Sequence, residues 1–163
     1  MTDVVLEVID AGNWREALDV RVRDDQLAFV ADHQPVALVI LAKCFVRPGG
    51  RRWEPLLIRD GGGHTVGVLA VEHGPDGCEL RNFAIDANRQ REGLGTAAAR
   101  AVIQRARQSS SDCEQLVVSA HPENRAAHNA YRSAGFSQTK EIRNGEPVFR
   151  LQIARAGGQE SAG

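Results

Sequence analysis

The segment Gln90–Thr96 reads Gln-Arg-Glu-Gly-Leu-Gly-Thr and constrains the fold of this chain more than any other stretch. It joins an extended apolar run to an alanine-rich helix through a polar turn with two glycines. The first N–H groups of a helix have no partner within it, and the helix dipole adds partial positive charge there. Gly93 and Gly95 let an anion come close to the backbone because neither has a Cβ. The segment therefore predicts a phosphate-binding turn; the alternative is a plain helix-entry loop.

The hydrophobic patterns predict a single domain over residues 1–153. Strands are predicted at 4–9, 53–59, 65–72, 78–86, 115–120, 136–142 and 148–153. Helices are predicted at 14–20, 24–31, 35–43, 94–107 and 124–134. The order β-α-α-β-β-β-α-β-α-β-β predicts an α/β (α+β) fold, with a mixed, mostly antiparallel sheet of about seven strands flanked by helices. The fourth and fifth strands should be parallel neighbours, and residues 154–163 are predicted to be a disordered tail.

Bulk properties exclude several classes of function. The length of 163 residues fits one domain with a real core. The net charge of −1 gives no electrostatic reason to expect a nucleic-acid partner. No apolar run approaches the length of a membrane span, and the first residues do not resemble a signal peptide. We therefore expect a cytoplasmic protein with neither a nucleic acid nor a membrane as partner.

The cysteine and histidine spacings predict no metal site and no disulfide. Cys44, Cys78 and Cys113 are odd in number, far apart and free of any Cys-x-x-Cys spacing. The sequence therefore predicts reduced, packed thiols. The five histidines include no His-x-x-x-His pair on one helical face. A serine hydrolase is also excluded, since there is no Gly-x-Ser-x-Gly elbow.

A dinucleotide site is the main rival for the glycine turn, because Gly93-x-Gly95-x-x-Ala98 fits the Gly-x-Gly-x-x-Gly/Ala pattern. In that pattern the strand runs nearly straight into the first glycine, whereas here residues 87–92 intervene. The predicted antiparallel strands before the turn, and the short stretch of chain after it, also disfavour a doubly wound sheet. These features together disfavour a dinucleotide site.

Three motifs in order carry a resemblance to a known family. They are the strand Leu80–Asp86, the Gln-x-x-Gly-x-Gly turn, and the later Asn-x-x-Ala-x-x-x-Tyr-x-x-x-Gly-Phe over 124–136. Together they resemble the GCN5-related N-acetyltransferases (GNAT) over residues 78–153. A weaker likeness at 13–16, 53–56 and 145–151 is similar to the bacterial spermine/spermidine acetyltransferases. The resemblance implies a GNAT-like domain that transfers an acetyl group from acetyl-coenzyme A to an amine.

The resemblance also implies which residues bind acetyl-coenzyme A. The pyrophosphate would lie on the N–H groups of the glycine turn, and the pantetheine amides would pair with the backbone of residues 83–85. A bulge in that strand would free an N–H for the thioester oxygen. The cofactor-binding residues so implied are Phe83, Ala84, Ile85, Gln90, Arg91, Glu92, Gly93, Leu94, Gly95, Thr96, Asn124 and Tyr131.

Tyr131 matches the family tyrosine that protonates the departing thiolate, and a phenol is a suitable donor for that step; the alternative is a tyrosine that only packs. The general base is less clear. Many relatives carry an acid four positions before the residue matching Ile85, but here that residue is Arg81. Glu79, on the same face of the strand, is the predicted catalytic base, acting through water. Glu72 and His121 are alternatives.

The resemblance favours a small-molecule amine as acceptor, with a polyamine as the candidate. A protein or peptide N-acetyltransferase is the second hypothesis, and a non-catalytic acyl-coenzyme A binding module is the third. Many relatives are dimers, so a homodimer is a candidate assembly. Trp14 and Trp53 could line an acceptor pocket, although large aromatics in such elements more often pack in the core.

Overall fold

A computed structural model describes residues 2–109 and 113–154 of the chain. Seven strands form one mixed sheet in the order β1-β2-β3-β4-β5-β7-β6. The strands are β1 (Val4–Val8), β2 (Arg52–Asp60), β3 (Thr65–Gly74), β4 (Gly77–Ile85), β5 (Gln115–Ser119), β6 (Ser137–Arg143) and β7 (Glu146–Gln152). The predicted fold class and element order are confirmed. The predicted disordered tail lies almost wholly outside the described residues.

Five α-helices connect these strands in the described part of the chain, three of them between β1 and β2. They are α1 (Trp14–Asp19), α2 (Asp24–Val30), α3 (Val36–Val46), α4 (Leu94–Gln108) and α5 (Arg125–Ala134). Asn124 and Gly135 set the two ends of α5. The Asn124 side chain accepts a hydrogen bond from the Ala127 N–H, and Gly135 ends the helix at a φ of 113°. No helix among the described residues has the length and apolar character that a membrane span requires.

The sheet separates two hydrophobic cores. Alternation along β2 sends Leu56 to one face and Leu57 to the other. The first face packs against α4 and α5, and the second packs against α1 and α3. Trp53 lies in the second core with 7% exposure, so it packs there as large aromatics usually do. Trp14 is partly exposed on α1.

The strands β4 and β5 separate soon after they meet. Their parallel pairing, predicted from the sequence, is confirmed at Cys78 with Leu116 and at Glu79 with Val117. No further pair between the two strands follows among the described residues. Beyond Glu79 a gap therefore opens between the two strands, and the edge of β4 that faces it lacks a strand partner. A β-bulge in β4 lies beside this gap, because Asn82 and Phe83 together oppose Leu69 of β3.

The prediction of three reduced thiols is wrong for two of them. Cys78 and Cys113 form a disulfide, with Cα atoms 5.4 Å apart and 35 positions apart in the chain. The pairing follows from the parallel contact of β4 and β5, which brings the start of β4 beside the residues that lead into β5. Sequence spacing cannot reveal a contact that depends on sheet topology. Cys44 is free and partly buried on α3.

Candidate functional site

The turn before α4 has the conformation that an anion-binding turn needs. Arg91 and Gly93 both adopt left-handed backbone conformations, with φ of 65° and 79°. Gly93 occupies the N-cap position of α4 without a side-chain hydrogen bond to the helix end. The first N–H groups of α4 thus remain free of a capping side chain, at the positive end of a 15-residue helix.

Arg89 and Gln90 fix the position of this turn. The Arg89 guanidinium contacts Asp60 at 3.0 Å and Glu92 at 2.9 Å. Gln90 donates through Nε2 to the Ile85 carbonyl at 3.1 Å and also pairs with Gln26 of α2. The turn is therefore tied to the β2–β3 connection, to the end of β4 and to α2.

A cleft of about 360 Å³ opens in front of the turn, between α2, β4, α4 and α5. Ten of the twelve predicted cofactor-binding residues line it. They are Phe83, Ala84, Ile85, Gln90, Arg91, Gly93, Leu94, Gly95, Thr96 and Asn124. Glu92 is not in this lining, since its carboxylate pairs with Arg89. Tyr131 lines the neighbouring cleft instead.

The bulge in β4 orients the strand edge at the inner end of this cleft. Asn82 has a φ of 49°, and its Nδ2 donates to the Val30 carbonyl at 2.6 Å. The buried Asn82 Oδ1 has no hydrogen-bond partner among the described residues. Burial without a partner is costly for an amide oxygen. One polar atom at the bulge, the Asn82 amide oxygen, is thus unpaired among the described residues.

A second cleft of about 230 Å³ adjoins the first. The two share a wall formed by Phe29, Val30, Phe83 and Asn124. Tyr131 lines the second cleft and is 3% exposed. Burial raises the pKa of its phenol well above the ordinary value, and the nearby Glu146 carboxylate raises it further. Tyr131 is therefore protonated at neutral pH and able to donate.

Four charged side chains join Tyr131 in the lining of the second cleft. They are Asp32, Lys43, Arg81 and Glu146. The Lys43 ammonium lies over the Trp53 ring at 4.9 Å from its centroid. Arg81 donates to Glu72 at 2.7 Å and contacts Glu79 at 3.4 Å. The carboxylates of the lining, by contrast, form no ion pair with any residue that the structure describes.

Glu79, the predicted base, lines neither cleft. It is 8% exposed and contacts Arg81 and Arg143, each at 3.4 Å. Burial raises its pKa above the ordinary value, and the two guanidinium groups oppose that shift. The two alternative bases, Glu72 and His121, also contact other side chains. Glu72 contacts Arg81 and Arg51, and the His121 ring packs against Phe29 at 4.9 Å between centroids.

Sequence reasoning missed Asp32 and Glu146 as lining residues. Glu146 directly follows the Asn144-Gly145 hairpin turn, and the turn signal says only that a strand begins there. Asp32 follows the end of α2 and is exposed. The available signal was the Gly-Glu-Pro segment within the weaker likeness at 145–151.

The sequence was compared with known protein families and with curated proteins. The profile of the acetyltransferase (GNAT) family matches residues 14–136, which is most of the chain. No curated protein matches the sequence.

Solved structures share the fold at low sequence identity. The aminoglycoside acetyltransferase AAC(6')-Ib, in a complex with acetyl-coenzyme A, aligns with a TM-score of 0.73 at 14% identity over 92% of this chain and 93% of its own. A spermidine N-acetyltransferase from Vibrio cholerae, in complex with CoA and spermine, aligns with a TM-score of 0.67 at 13% identity over 93% and 96%. An acetyltransferase from Agrobacterium tumefaciens aligns with a TM-score of 0.66 at 19% identity over 91% and 90%.

Proposed function

We propose that this chain acetylates a primary amine of a small molecule. The chain belongs to the acetyltransferase (GNAT) family and is an N-acetyltransferase with acetyl-coenzyme A as co-substrate. The acetyl group passes directly to the amine, without a covalent enzyme intermediate. A polyamine is the candidate acceptor. One observation carries the proposal: the uncapped start of α4 and the open edge of β4 border one cleft, which adjoins a second, smaller cleft beside Tyr131.

The first cleft fits the chemistry of acetyl-coenzyme A. The N–H groups of Gly93, Leu94 and Gly95 suit a pyrophosphate, and Arg91 forms no ion pair with any described residue, so its cation is available to the same anion. The open edge of β4 suits the pantetheine amides, which pair as a strand would. The acetyl group then lies near the bulge, where the two clefts meet.

The second cleft suits an amine. Asp32 and Glu146 present carboxylates without an arginine or lysine partner among the described residues, and an ammonium group satisfies such carboxylates. A volume of about 230 Å³ fits a small molecule better than a folded protein segment. Two structural neighbours are, by name, acetyltransferases of spermidine and of aminoglycosides, and both names denote small polyamino compounds.

Tyr131 is the proposed proton donor to the leaving thiolate. Its hydroxyl forms no hydrogen bond with the described residues, and it lies in the cleft where acceptor and thioester would meet. A phenol held neutral by burial keeps its proton until charge develops on the sulfur. Proton donation by Tyr131, which the sequence also predicts, is part of the proposed function.

Thiol release from acetyl-coenzyme A tests the function directly. The panel contains spermidine and other polyamines, an amino sugar, free amino acids, and a peptide with a free amino terminus and a lysine. We expect release that depends on a small amine, with a mass gain of one acetyl group on that amine. Release only with the peptide would favour the protein N-acetyltransferase hypothesis. Calorimetric binding of acetyl-coenzyme A without release on any amine would favour the binding module.

A further inference from the structure

Glu146, which lines the second cleft, differs from the glutamates of the neighbouring strands β3, β4 and β6. Glu72 and Glu79 are both buried and both contact arginines. Glu141 of β6 contacts Arg143 and Arg150, each at 2.6 Å. Glu146 has neither a hydrogen bond nor an ion pair from its side chain to any described residue, although it is only partly exposed. A partly buried carboxylate without a protein partner must be compensated by water or by a ligand.

The position of Glu146 relates it to the reacting groups. It is the first residue of β7, paired in the sheet with Arg143 of β6. It lines the second cleft together with Tyr131 and with Phe83 of the bulge. Its charge also raises the pKa of the Tyr131 phenol, so the two groups interact electrostatically. Asp32 is the other carboxylate of the lining, and it is exposed beyond the end of α2.

The charged and titratable groups that face this cleft, among the described residues, come from several elements. They are Asp32 after α2, Lys43 of α3, Arg81 of β4, Tyr131 of α5 and Glu146 of β7. The Arg81 cation is offset by its contacts with Glu72 and Glu79. The Lys43 ammonium is held over Trp53 rather than in an ion pair. Glu146 is therefore a carboxylate near Tyr131 that has no cationic partner among the described residues.

We propose that Glu146, rather than Glu79, binds the acceptor ammonium group and takes its proton before attack on the thioester. The proposal rests on the function proposed above and assigns a further catalytic residue to it. Glu79 lines neither cleft, so direct contact with an acceptor is open to Glu146 and not to Glu79. A base must lie within hydrogen-bond reach of the proton it removes, directly or through one water, so a role for Glu79 would require a water relay.

The proton transfers balance as follows. Glu146 takes one proton from the ammonium, and the free amine attacks the thioester carbonyl to form the new C–N bond. The C–S bond breaks, and Tyr131 gives its proton to the departing sulfur. The nitrogen then loses a second proton, which restores the phenol, while Glu146 releases its proton to solvent. Of the two protons that leave the nitrogen, one ends on the thiol and the other in solution.

The test compares four variants with the parent on the best amine of the panel. Glu146→Gln keeps the size of the side chain and removes its charge, and Glu146→Asp keeps the charge on a shorter arm. Glu79→Gln tests the rival base, and Asp76→Asn in the exposed β3–β4 turn is the surface control. Calorimetry with acetyl-coenzyme A and thermal unfolding check that each variant folds and binds the co-substrate.

For Glu146→Gln we expect kcat/KM to fall ~10²-fold or more near neutral pH, in the range of general base removal. We also expect KM for the amine to rise, acetyl-coenzyme A affinity to stay unchanged, and Glu146→Asp to recover part of the rate. The loss of kcat/KM in Glu146→Gln should shrink as the pH rises toward the pKa of the amine. The amine is then already deprotonated, so it needs neither an anionic partner nor a base. A purely structural role would not give this pH dependence.

Three outcomes overturn the proposal and can be told apart. If the parent acetylates an amine and Glu146→Gln matches it in kcat, KM and pH profile, Glu146 has no role and the proposed function stands. A large loss in Glu79→Gln with none in Glu146→Gln would return the role to Glu79. If the parent acetylates no amine at all, the proposed function fails and the role of Glu146 fails with it.

Discussion

Arg89 Nη1 lies 3.0 Å from Asp60 Oδ2, so the turn that precedes α4 is anchored to the connection between β2 and β3. Arg89 also contacts Glu92 inside the turn. One side chain thus holds the backbone that presents the N–H groups of α4 to the first cleft. Arg89 itself lines that cleft, whereas its partner Asp60 does not.

We expect Arg89→Ala to weaken acetyl-coenzyme A binding several-fold while leaving the fold intact. Without the anchor, the turn must be ordered when the ligand binds, and that ordering opposes binding. Calorimetric titration with coenzyme A measures the effect. Arg107→Ala, near the far end of α4, is the matched control for the loss of one positive charge. An equal loss of affinity in both variants would show that total charge, not the anchor, is responsible.

The Asp60 carboxyl should titrate well below an ordinary aspartate. The His64 N–H bond is the largest cause, and the Arg89 contact and the Gly62 N–H bond add to it, giving a pKa of about 2. A lowered pKa stabilises the fold above the unfolded value of about 3.9, and that contribution is lost as the pH falls through about 2. Carbon NMR of the carboxyl groups measures this, with Asp60→Asn to assign the signal. A midpoint near the ordinary value would contradict the described hydrogen bonds.

Gly93 and Gly95 should respond differently to alanine. Gly93 has a φ of 79°, so Gly93→Ala forces a left-handed backbone onto a residue with a Cβ, at a cost of about 1–2 kcal/mol. A Cβ on Gly95 meets only the Ala130 Cβ at 3.8 Å, an ordinary contact. We expect Gly93→Ala to lower both stability and acetyl-coenzyme A affinity, and Gly95→Ala to retain stability. Denaturant unfolding and calorimetry on both variants compare them, and equal unfolding midpoints would count against this reading.

The disulfide should stabilise the fold without taking part in transfer. Closing a loop of 35 positions between Cys78 and Cys113 is worth about 3–4 kcal/mol in the chain-entropy description. We therefore expect a reductant or Cys113→Ala to lower the free energy of unfolding by up to that amount, with Cys44→Ala as the control thiol. Acetyl transfer should persist, because no step uses a cysteine. An acetylated enzyme found by mass spectrometry after incubation with acetyl-coenzyme A alone would contradict direct transfer.

The sequence predicts those parts of the structure that depend on local chemistry. The helix predicted at 124–134 is found as α5, because its two ends are set locally by the Asn124 cap and by Gly135. The bulge beside Phe83 was expected only through the family resemblance. It is confirmed by the register of β3 and β4.

Contacts that depend on distant pairing could not be predicted. Cys78 meets Cys113 only because β4 and β5 pair in parallel at their starts. Glu79 contacts Arg81 and also Arg143, which is 64 positions away in the chain. It lines neither cleft. Glu146 reaches the second cleft because β7 lies between β5 and β6. Alternation places Glu79 on the correct face of its strand, yet it cannot say which side chains cover that face.

The last prediction concerns Tyr131→Phe, which should lower kcat ~10²-fold or more while the affinity for acetyl-coenzyme A stays nearly unchanged. The ring packs edge-on against Phe149 at 5.7 Å between centroids, and phenylalanine keeps that packing. The hydroxyl has no hydrogen-bond partner among the described residues, so its removal should not lower stability. Steady-state kinetics over pH, beside calorimetry and thermal unfolding, separate the two effects. If Tyr131→Phe acetylates an accepted amine at near the parent rate, the tyrosine only packs, and the thiolate leaves unprotonated or takes its proton from water.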